Sequence, residues 1–360
     1  MTFNLLTFDQ ALKKSEVYGK RHLLLGNGFS IACKPDIFAY GSLFEEAKKT
    51  MSRELAAIFA AMGTQDFEEV IRALQHAAVI VGVYRPKFTQ TQKLLVTDAE
   101  KLKTDLIQAV AGRHPARPND ISDRRYLACR TFLSNFVGDQ VGGKIYTMNY
   151  DLLLYWALMH EEDDPATLIA LNHDDGFRKD PDDLDAPYVE WQGVGAAHGQ
   201  NIHYLHGALH LFDAGYQLQK YTWVNTGKAL VDQANEALKK NQFPVFVAEG
   251  DSKSKLTKIQ HSAYLHHNLK SFAGVCQTGS RGGTALFVFG HSFAKNDAHV
   301  FNIIGQGKIT NLFVSLFGDP SSKSNQIIRA NVAKIVALRP SAFPELHVNF
   351  YDAASAKVWG

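Results

Sequence analysis

The chain has 360 residues, of which 46% are hydrophobic, and its 38 basic and 36 acidic side chains give a net charge of +2. This length and composition suit one large domain or two of ordinary size with a full core, and they exclude a disordered chain. The near balance of charge gives no reason to expect direct nucleic-acid binding or a membrane surface.

The start of the chain and its cysteines indicate where the protein works. The N-terminal residues MTFNLLTFDQALKKSE mix acidic and basic side chains and contain no long apolar core, so we expect no signal peptide. No run approaches the roughly 18 apolar residues of a membrane span. Cys33, Cys129 and Cys276 are odd in number and far apart, which predicts neither disulfides nor a cysteine zinc site. Together these features predict a cytoplasmic protein.

The first third of the chain is predicted to be one strand followed by helices. The apolar run RHLLL at 21–25 predicts a buried strand that leads into the glycine loop GNGFS at 26–30. Residues 43–135 carry apolar residues at three- and four-residue spacing, which predicts a helical insertion. Residues 161–200 are rich in Asp, Gly and Pro, and we expect a long, partly irregular connection there.

From residue 144 onward, short apolar strands alternate with helices. The candidate strands are KIYTMNY (144–150), IHYLHG (202–207), FPVFVAEG (243–250), ALFVFGHS (285–292), NLFVSLFG (311–318) and LHVNFYD (346–352). Helical segments such as GKALVDQANEALKKN and SSKSNQIIRANVAKIVALR lie between them. This alternation predicts an α/β fold, with a Rossmann-like, mostly parallel sheet that has helices on both faces. We expect a single domain over 1–360, with 43–135 inserted in it.

Small or polar residues follow four of these strands. They are Gly26, Asn27, Gly28, Phe29 and Ser30 after the first strand, Thr147, Asn149 and Asp151 after the second, His206 after the third, and Gly290, Ser292 and Asp297 after a later one. In a doubly wound sheet the ligand crevice lies beyond the carboxyl ends of the strands, so all four groups are predicted to face one crevice. Each group alone also has an ordinary structural explanation, as a tight turn, a cap or a core histidine.

In chain order, these groups read Gly-x-Gly-x-Ser, Thr-x-Asn-x-Asp, Leu-His-Gly and Gly-x-Ser. From about residue 21 to 300 this order resembles the sirtuin-like family of NAD-consuming domains. It is most similar to the prokaryotic sirtuin-like NAD glycohydrolases of anti-phage defence. Sirtuin deacetylases carry a four-cysteine zinc ribbon, which three scattered cysteines cannot build. The resemblance therefore implies NAD cleavage without a metal, rather than deacetylation.

The resemblance also implies a role for each site residue. Asn149 would orient the ribose and the attacking water, and His206 would be the general base, since an unperturbed histidine titrates near neutrality. Asp151 would help to form the nicotinamide end of the pocket. The implied cofactor-binding residues are Gly26, Asn27, Gly28, Phe29, Ser30 and Thr147 on the pyrophosphate and nicotinamide side, with Gly290 and Ser292 at the adenosine and Asp297 at a ribose hydroxyl.

Three alternatives to hydrolysis remain open. ADP-ribose transfer to an acceptor passes through the same ribosyl cation, and a binding module would hold NAD or ADP-ribose without cleaving it. A purely structural partner is the third alternative, and it leaves the polar strand ends unexplained. Because uncontrolled NAD hydrolysis would kill the host, we expect gating by self-assembly or by a partner protein such as a ring ATPase.

Two further motifs suggest ligands less strongly. The segment HYLHGALH contains His203, His206 and His210, but on a strand His203 and His206 point to opposite faces, which argues against a metal site. Residues 248–265 lead from a strand through a polar loop with Lys253, Lys255 and Lys258 into a helix. That arrangement could bring a cation to a phosphate, although solvated lysines at a helix N-terminus are the favoured interpretation.

Overall fold

The apolar runs of the sequence form the buried strands of the computed structural model. The structure describes residues 5–139, 141–160, 169–180, 182–196, 199–215, 217–222, 227–240, 242–278 and 283–360. The strands in chain order are β1 (Lys20–Leu25), β2 (Ile145–Thr147), β3 (Phe177–Lys179), β4 (Tyr188–Trp191), β5 (Ile202–Tyr204), β6 (Gly207–Asp213), β7 (Leu218–Tyr221), β8 (Pro244–Phe246), β9 (Thr284–Phe289), β10 (Asn311–Leu316) and β11 (His347–Asp352).

Six of these strands form the main sheet. Its order is β11-β10-β9-β1-β2-β5, and every neighbouring pair is parallel. The chain moves outward from β1 through β2 to β5, and then returns to the other side of β1 and moves outward again through β9, β10 and β11. The strand order therefore reverses between β1 and β9, as in doubly wound dinucleotide-binding sheets. The predicted α/β fold with a Rossmann-like parallel sheet is confirmed.

The other five strands form a second, antiparallel sheet that the sequence pattern did not indicate. Its order is β3-β4-β7-β6-β8. The prediction that 243–250 belongs to the parallel sheet is wrong, because β8 pairs antiparallel with β6. The irregular connection predicted over 161–200 contains β3 and β4, while 161–168 lie outside the described residues. These short strands carry charged residues such as Arg178 and Glu190, so no continuous apolar run marks them.

Helices flank the main sheet and fill the connection between β1 and β2. They are α1 (Phe8–Ser15), α2 (Gly28–Cys33), α3 (Pro35–Phe38), α4 (Tyr40–Ala47), α5 (Arg53–Met62), α6 (Phe67–Tyr84), α7 (Thr89–Arg113), α8 (Asp123–Val137), α9 (Leu153–Met159), α10 (Gly193–Ala196), α11 (Leu230–Lys239), α12 (Ser252–His261), α13 (Ala263–Cys276), α14 (Ala298–Gly305) and α15 (Lys323–Val336). Short 3-10 helices cover Pro118–Asp120, Lys295–Asp297 and Ala354–Ala356. The helical character predicted for 43–135 is confirmed, and in the structure it begins earlier, at Gly28.

The hydrophobic core joins the main sheet to the inserted helices. One cluster of buried side chains extends from Phe8 to Trp359 and includes Leu24 of β1, Leu55 of α5 and Phe287 of β9. Such continuity holds the loops after the strands in fixed positions relative to the helices around them. Within the described ranges, no helix combines the length and apolar character that crossing a membrane requires.

Candidate active site

The four polar strand ends lie side by side at one edge of the main sheet. Leu25 at the end of β1 pairs with Phe289 of β9 on one side and with Thr147 of β2 on the other. Thr147 in turn pairs with Tyr204 at the end of β5. The loops after β9, β1, β2 and β5 are therefore consecutive neighbours at the carboxyl edge. This edge includes the reversal point between β1 and β9, where doubly wound sheets bind their ligands.

Glycines let the loops after β1 and β9 touch. Gly28 N–H donates to the carbonyl of Gly290 at 2.8 Å, and a Cβ on Gly28 would lie 2.5 Å from Gly290 Cα. Gly290 has a φ of +70°, a left-handed conformation that favours glycine. The glycine residues at these two positions are thus required by backbone contact at the reversal point.

The backbone N–H groups of the glycine loop are bonded within the protein. The N–H groups of Gly26 and Gly28 donate to the carbonyls of Phe289 and Gly290. Those of Phe29 and Ser30 donate to carbonyls within the loop, which turns directly into α2. Asn27 is partly exposed, and its side-chain Nδ2 donates to the carbonyl of Phe38 at 3.2 Å. These four N–H groups therefore already have acceptors within the protein, and the loop presents mainly its outer surface to the crevice.

Asn149, Ser30 and Asp151 form a buried hydrogen-bonded group between the loops after β1 and β2. Asn149 Nδ2 donates to the carbonyl of Gly26 at 3.1 Å and to Ser30 Oγ at 2.9 Å, and Ser30 Oγ donates to Asp151 Oδ2 at 2.5 Å. Asp151 Oδ1 also accepts the N–H of Leu153 at the start of α9. Burial raises the pKa of Asp151, and the hydrogen bond from Ser30 partly offsets this effect.

These bonds leave one polar atom of the group uncommitted. Within the described ranges, Asn149 Oδ1 has no hydrogen-bond partner, whereas Nδ2 has two. Asn149 is 9% exposed and Ser30 is fully buried. The amide of Asn149 is therefore held rigidly, with its oxygen available to accept a hydrogen bond from another group.

Three other predicted cofactor residues have structural roles or lie at the surface. The ring of Phe29 packs against Trp359, whose Nε1 donates to the carbonyl of Phe29 at 2.9 Å. Thr147 is buried, and its Oγ1 accepts the N–H of Asn149 at 3.1 Å. Ser292 is exposed, and its carbonyl accepts from Asn331 Nδ2 at 3.4 Å.

His206 lies in the turn between β5 and β6 and faces a second histidine. Its Nε2 is 3.0 Å from Nε2 of His299 on α14, and the two rings are stacked with centroids 5.2 Å apart. Burial lowers the pKa of His206 well below its usual value, and it lowers the pKa of His299 to about 4. Both imidazoles are therefore neutral at pH 7, which is the form of histidine that accepts a proton.

A buried ion cluster lies beside the histidine pair. Lys255 of α12 is fully buried, and its Nζ donates to Glu68 Oε2 at 2.6 Å and to Asp297 Oδ1 at 2.8 Å. Asp297 Oδ2 lies 3.4 Å from Nε2 of His291. Burial alone would lower the pKa of Lys255, but the carboxylates of Glu68 and Asp297 outweigh it and raise that pKa. Lys255 is therefore a fixed positive charge.

The sequence reasoning missed Glu68 and considered Lys255 only as a possible cation for a phosphate. Asp297, which was expected at a ribose hydroxyl, accepts a hydrogen bond from Lys255. The expectation of solvated lysines at this helix N-terminus is wrong for Lys255. A usable signal was the helical phase of α12, since Ile259 is buried and position 255 lies four residues earlier on the same face. Asp297 directly precedes α14, but its side chain makes no capping hydrogen bond there.

His206, Asp297 and His299 also form the group of described side chains whose positions suit a metal ion, with ligand atoms all within 4.8 Å of one another. The donor types fit a transition metal such as zinc. However, Lys255 already binds the carboxylate of Asp297, so a divalent cation would lie close to a fixed positive charge. The Nε2 atoms of the two histidines and Oδ1 of Asp297 already have hydrogen-bond partners within the protein.

One protein-family model matches nearly all of the chain. The family model described as "Domain of unknown function (DUF4917)" matches residues 23–359, which includes every site residue named above. No match was found among curated proteins. Because this model matches the chain from β1 to Trp359, the chain belongs to the DUF4917 family.

Proposed function

We propose that this protein is an NAD⁺ glycohydrolase that cleaves the bond between nicotinamide and ribose to give nicotinamide and ADP-ribose. The observation that supports it most is the placement of Asn149 and His206. Each stands two residues beyond paired positions of two neighbouring parallel strands, Thr147 of β2 and Tyr204 of β5. Both therefore lie at the carboxyl edge that, in this strand order, is used for dinucleotides.

The chemistry of NAD cleavage suits these side chains. Nicotinamide is cationic on its ribose and leaves as a neutral ring, so the reaction needs no strong acid for the leaving group. It needs a held ribose, a positioned water and stabilisation of an oxocarbenium-like transition state. Asn149 Oδ1 can accept a hydrogen bond from a ribose hydroxyl or from the water, and the neutral imidazole of His206 can take a proton.

The remaining contacts follow from the same placement. Asp151 and Ser30 fix the orientation of the Asn149 amide at the nicotinamide end of the crevice. The outer surfaces of Asn27, Gly28 and Gly290 would face the rest of the dinucleotide at the reversal point. Ser292, beyond Gly290 and exposed, would lie on the adenosine side.

The direct test is NAD consumption by the purified chain, with products separated by chromatography. We expect nicotinamide and ADP-ribose to appear with the wild type, and to fall by at least about 100-fold with His206→Ala and with Asn149→Ala. His261→Ala is the matched control, because His261 is exposed on α12. Full activity in folded His206→Ala and Asn149→Ala would contradict the proposal.

Two related activities share the site and are separated by the same experiment. ADP-ribosyl transfer would give a chain or an added acceptor heavier by one ADP-ribose, which mass spectrometry detects. A binding module would bind NAD with an unchanged NAD pool. Both outcomes would replace hydrolysis as the function.

We also propose that the activity is gated through self-association or a partner protein such as a ring ATPase, as expected of an anti-phage defence enzyme that depletes NAD. A surface suited to such contact is the apolar tip of the α6–α7 hairpin. It consists of the exposed side chains of Val79, Ile80, Val83, Tyr84, Phe88 and Leu94. Exposed apolar groups in one place are typical of interaction surfaces.

The gating proposal predicts that activity per chain rises with assembly. Val83→Ser together with Tyr84→Ser should abolish that rise and leave the melting temperature unchanged, because these side chains are 74% and 80% exposed. Activity at several protein concentrations, with the mass measured by light scattering, checks it. An isolated monomer with full activity would contradict the proposal.

A further inference from the structure

We propose that His299 is a positioning residue for His206. In this inference, which rests on the proposed function, His299 accepts a hydrogen bond from Nε2–H of His206. That bond leaves Nδ1 of His206 as the nitrogen that takes a proton from the reacting group. The feature that carries the inference is the contact of 3.0 Å between the two Nε2 atoms.

A contact this short between two neutral imidazoles contains one proton, and two arrangements are possible. Either His206 donates its Nε2–H to His299, or His299 donates its Nε2–H to His206. The first leaves a free lone pair on His206 Nδ1. The second places a hydrogen on His206 Nδ1, which then could not act as a base.

The surroundings of His206 favour the first arrangement. In the part of the chain that the structure describes, Nδ1 of His206 has no hydrogen-bond partner, and the residue is only 2% exposed. Buried N–H donors without an acceptor are rarer in proteins than acceptors without a donor. A proton on Nδ1 would have no acceptor among the described residues, whereas a proton on Nε2 is satisfied by His299.

Ser252 completes the arrangement on the far side of His299. Its Oγ accepts the backbone N–H of His299 at 2.7 Å and lies 3.3 Å from Nδ1 of the same residue. With two lone pairs, Oγ can also accept Nδ1–H. This assignment leaves Nε2 of His299 as the acceptor that His206 needs. The ring of Tyr150 also lies near that of His206, with centroids 6.3 Å apart.

The arrangement provides a balanced proton transfer. As a water O–H bond breaks, a bond forms between that hydrogen and Nδ1 of His206, and the hydroxide adds to the ribose carbon that nicotinamide has left. The Nε2–H of His206 can then move to Nε2 of His299. The resulting positive charge faces the carboxylate of Asp297, which favours it, and the cation of Lys255, which opposes it.

The other charged groups packed around the pair belong to the same cluster. His291 contacts Asp297 from the loop after β9, and Glu68 contacts Lys255 from α6. With Lys255 held between two carboxylates, the cluster has one more negative than positive charge when both carboxylates are ionised. The surroundings therefore tolerate a proton on the histidine pair.

The test of the inference is the tautomer of His206, which nitrogen NMR of histidine-labelled protein reports. Comparison with His206→Ala assigns the signal. We expect His206 in the wild type to carry its hydrogen on Nε2, and His299→Ala to shift it toward Nδ1. His299→Gln should preserve the wild-type tautomer, because the Gln amide oxygen offers an acceptor. A hydrogen on Nδ1 in the wild type would overturn the inference, and so would a tautomer that His299→Ala leaves unchanged.

The kinetic readout is separate. We expect His299→Ala to lower kcat for NAD cleavage by about 10²-fold with KM nearly unchanged, and to flatten the acid limb of the pH profile, with partial recovery in His299→Gln. If the wild type shows the expected tautomer but no NAD cleavage, the proposed function fails and the positioning role stands. A metal ion bound one per chain and lost in His299→Ala would overturn the positioning role.

Discussion

Lys255 is a buried charge, and the side chains that bind it explain how the fold accommodates it. It is fully buried, and the two carboxylates that bind it, Glu68 and Asp297, come from α6 and from the segment before α14. An unpaired buried charge is costly, so each member of the cluster depends on the others. The same cluster places a negative group beside His206 and His299, so stability and the proposed chemistry share residues.

At this scale we predict that Lys255→Met destabilises the fold by about 3–5 kcal/mol, since it leaves two buried carboxylates without their cation. Lys253→Met is the control, because Lys253 is exposed on the same helix and should change stability by less than about 0.5 kcal/mol. Chemical denaturation measures both. Equal stability of the two variants would show that the cluster is not held as described.

Asn149 and Asp151 illustrate why polar residues are retained in an apolar segment. Their hydrogen bonds to Ser30, Gly26 and the start of α9 satisfy the carboxylate of Asp151 and the amide nitrogen of Asn149, and they join the two loops. The ordinary explanation of Asp151 as a helix cap is thus correct in part. The free oxygen of Asn149 is the feature that a structural role alone leaves unexplained.

At the scale of elements, the contact between the loops after β1 and β9 sets the shape of the reversal point. The two loops are 262 residues apart at Gly28 and Gly290 (290 minus 28), yet their backbones touch. Any side chain at either position would push the strand ends apart. The crevice proposed for NAD therefore depends on both glycines.

We predict that Gly28→Ala lowers stability by about 1–3 kcal/mol and weakens NAD binding, because the new methyl group meets Gly290 Cα. Gly112→Ala is the matched control. It lies near the end of α7 with nothing within 4 Å of the new Cβ, so it should raise stability by up to about 1 kcal/mol. Thermal melts and NAD titrations of both variants check this, and a stabilised Gly28→Ala would contradict the loop contact.

At the scale of the whole molecule, buried histidines make the fold sensitive to acid. Burial lowers the pKa of His22 and His203 to about 3 and of His114 and His299 to about 4, and it lowers the pKa of His206 and His210 well below the usual value. The unfolded chain binds protons at these histidines near pH 6.5, whereas the folded chain does not. The stability that comes from keeping these histidines neutral in the folded chain is therefore present above about pH 6.5. It is lost progressively as the pH falls toward the pKa values of the histidines in the folded chain.

This linkage predicts a steep acid transition. Each such histidine can remove up to about 1.4 kcal/mol per pH unit below pH 6.5, and a typical domain has only about 5–15 kcal/mol in total. Buried carboxyls with a raised pKa, such as Asp151, act in the opposite sense and offset part of the loss. We expect unfolding to set in between roughly pH 6 and 5, with thermal melts from pH 7.5 to 5 as the measurement.

The substitution His22→Leu tests the contribution of one buried histidine to this acid transition. His22 lies in β1, and within the described residues its Nδ1 has no hydrogen-bond partner, so an apolar replacement leaves no polar group unsatisfied. We expect this variant to be at least as stable as the wild type at pH 7.5, and to lose about 1.4 kcal/mol less per pH unit below pH 6. An unchanged slope would mean that His22 is not neutral and buried in the folded state.

Much of the parallel sheet could be predicted because its signal is local. Strands such as Thr284–Phe289 are buried on both faces, so they read as continuous apolar runs, and the loops after them contain the glycine and polar residues of the candidate site. The second sheet was missed because β3, β4 and β7 are short and each contains a charged residue, so no continuous apolar run marks them. The partners of Lys255 were missed because Glu68 is 187 residues away.

The sequence by itself determined the fold class, the helical character of 43–135 and the order of the polar strand ends, since propensity and periodicity act over a few neighbouring residues. Only the tertiary structure decided that the strand order reverses between β1 and β9, that Gly28 meets Gly290, and that His206 faces His299 beside a buried lysine. The physical reason is that these contacts join segments far apart in the chain. Their energies depend on packing and charge pairing in three dimensions, which local pattern does not specify.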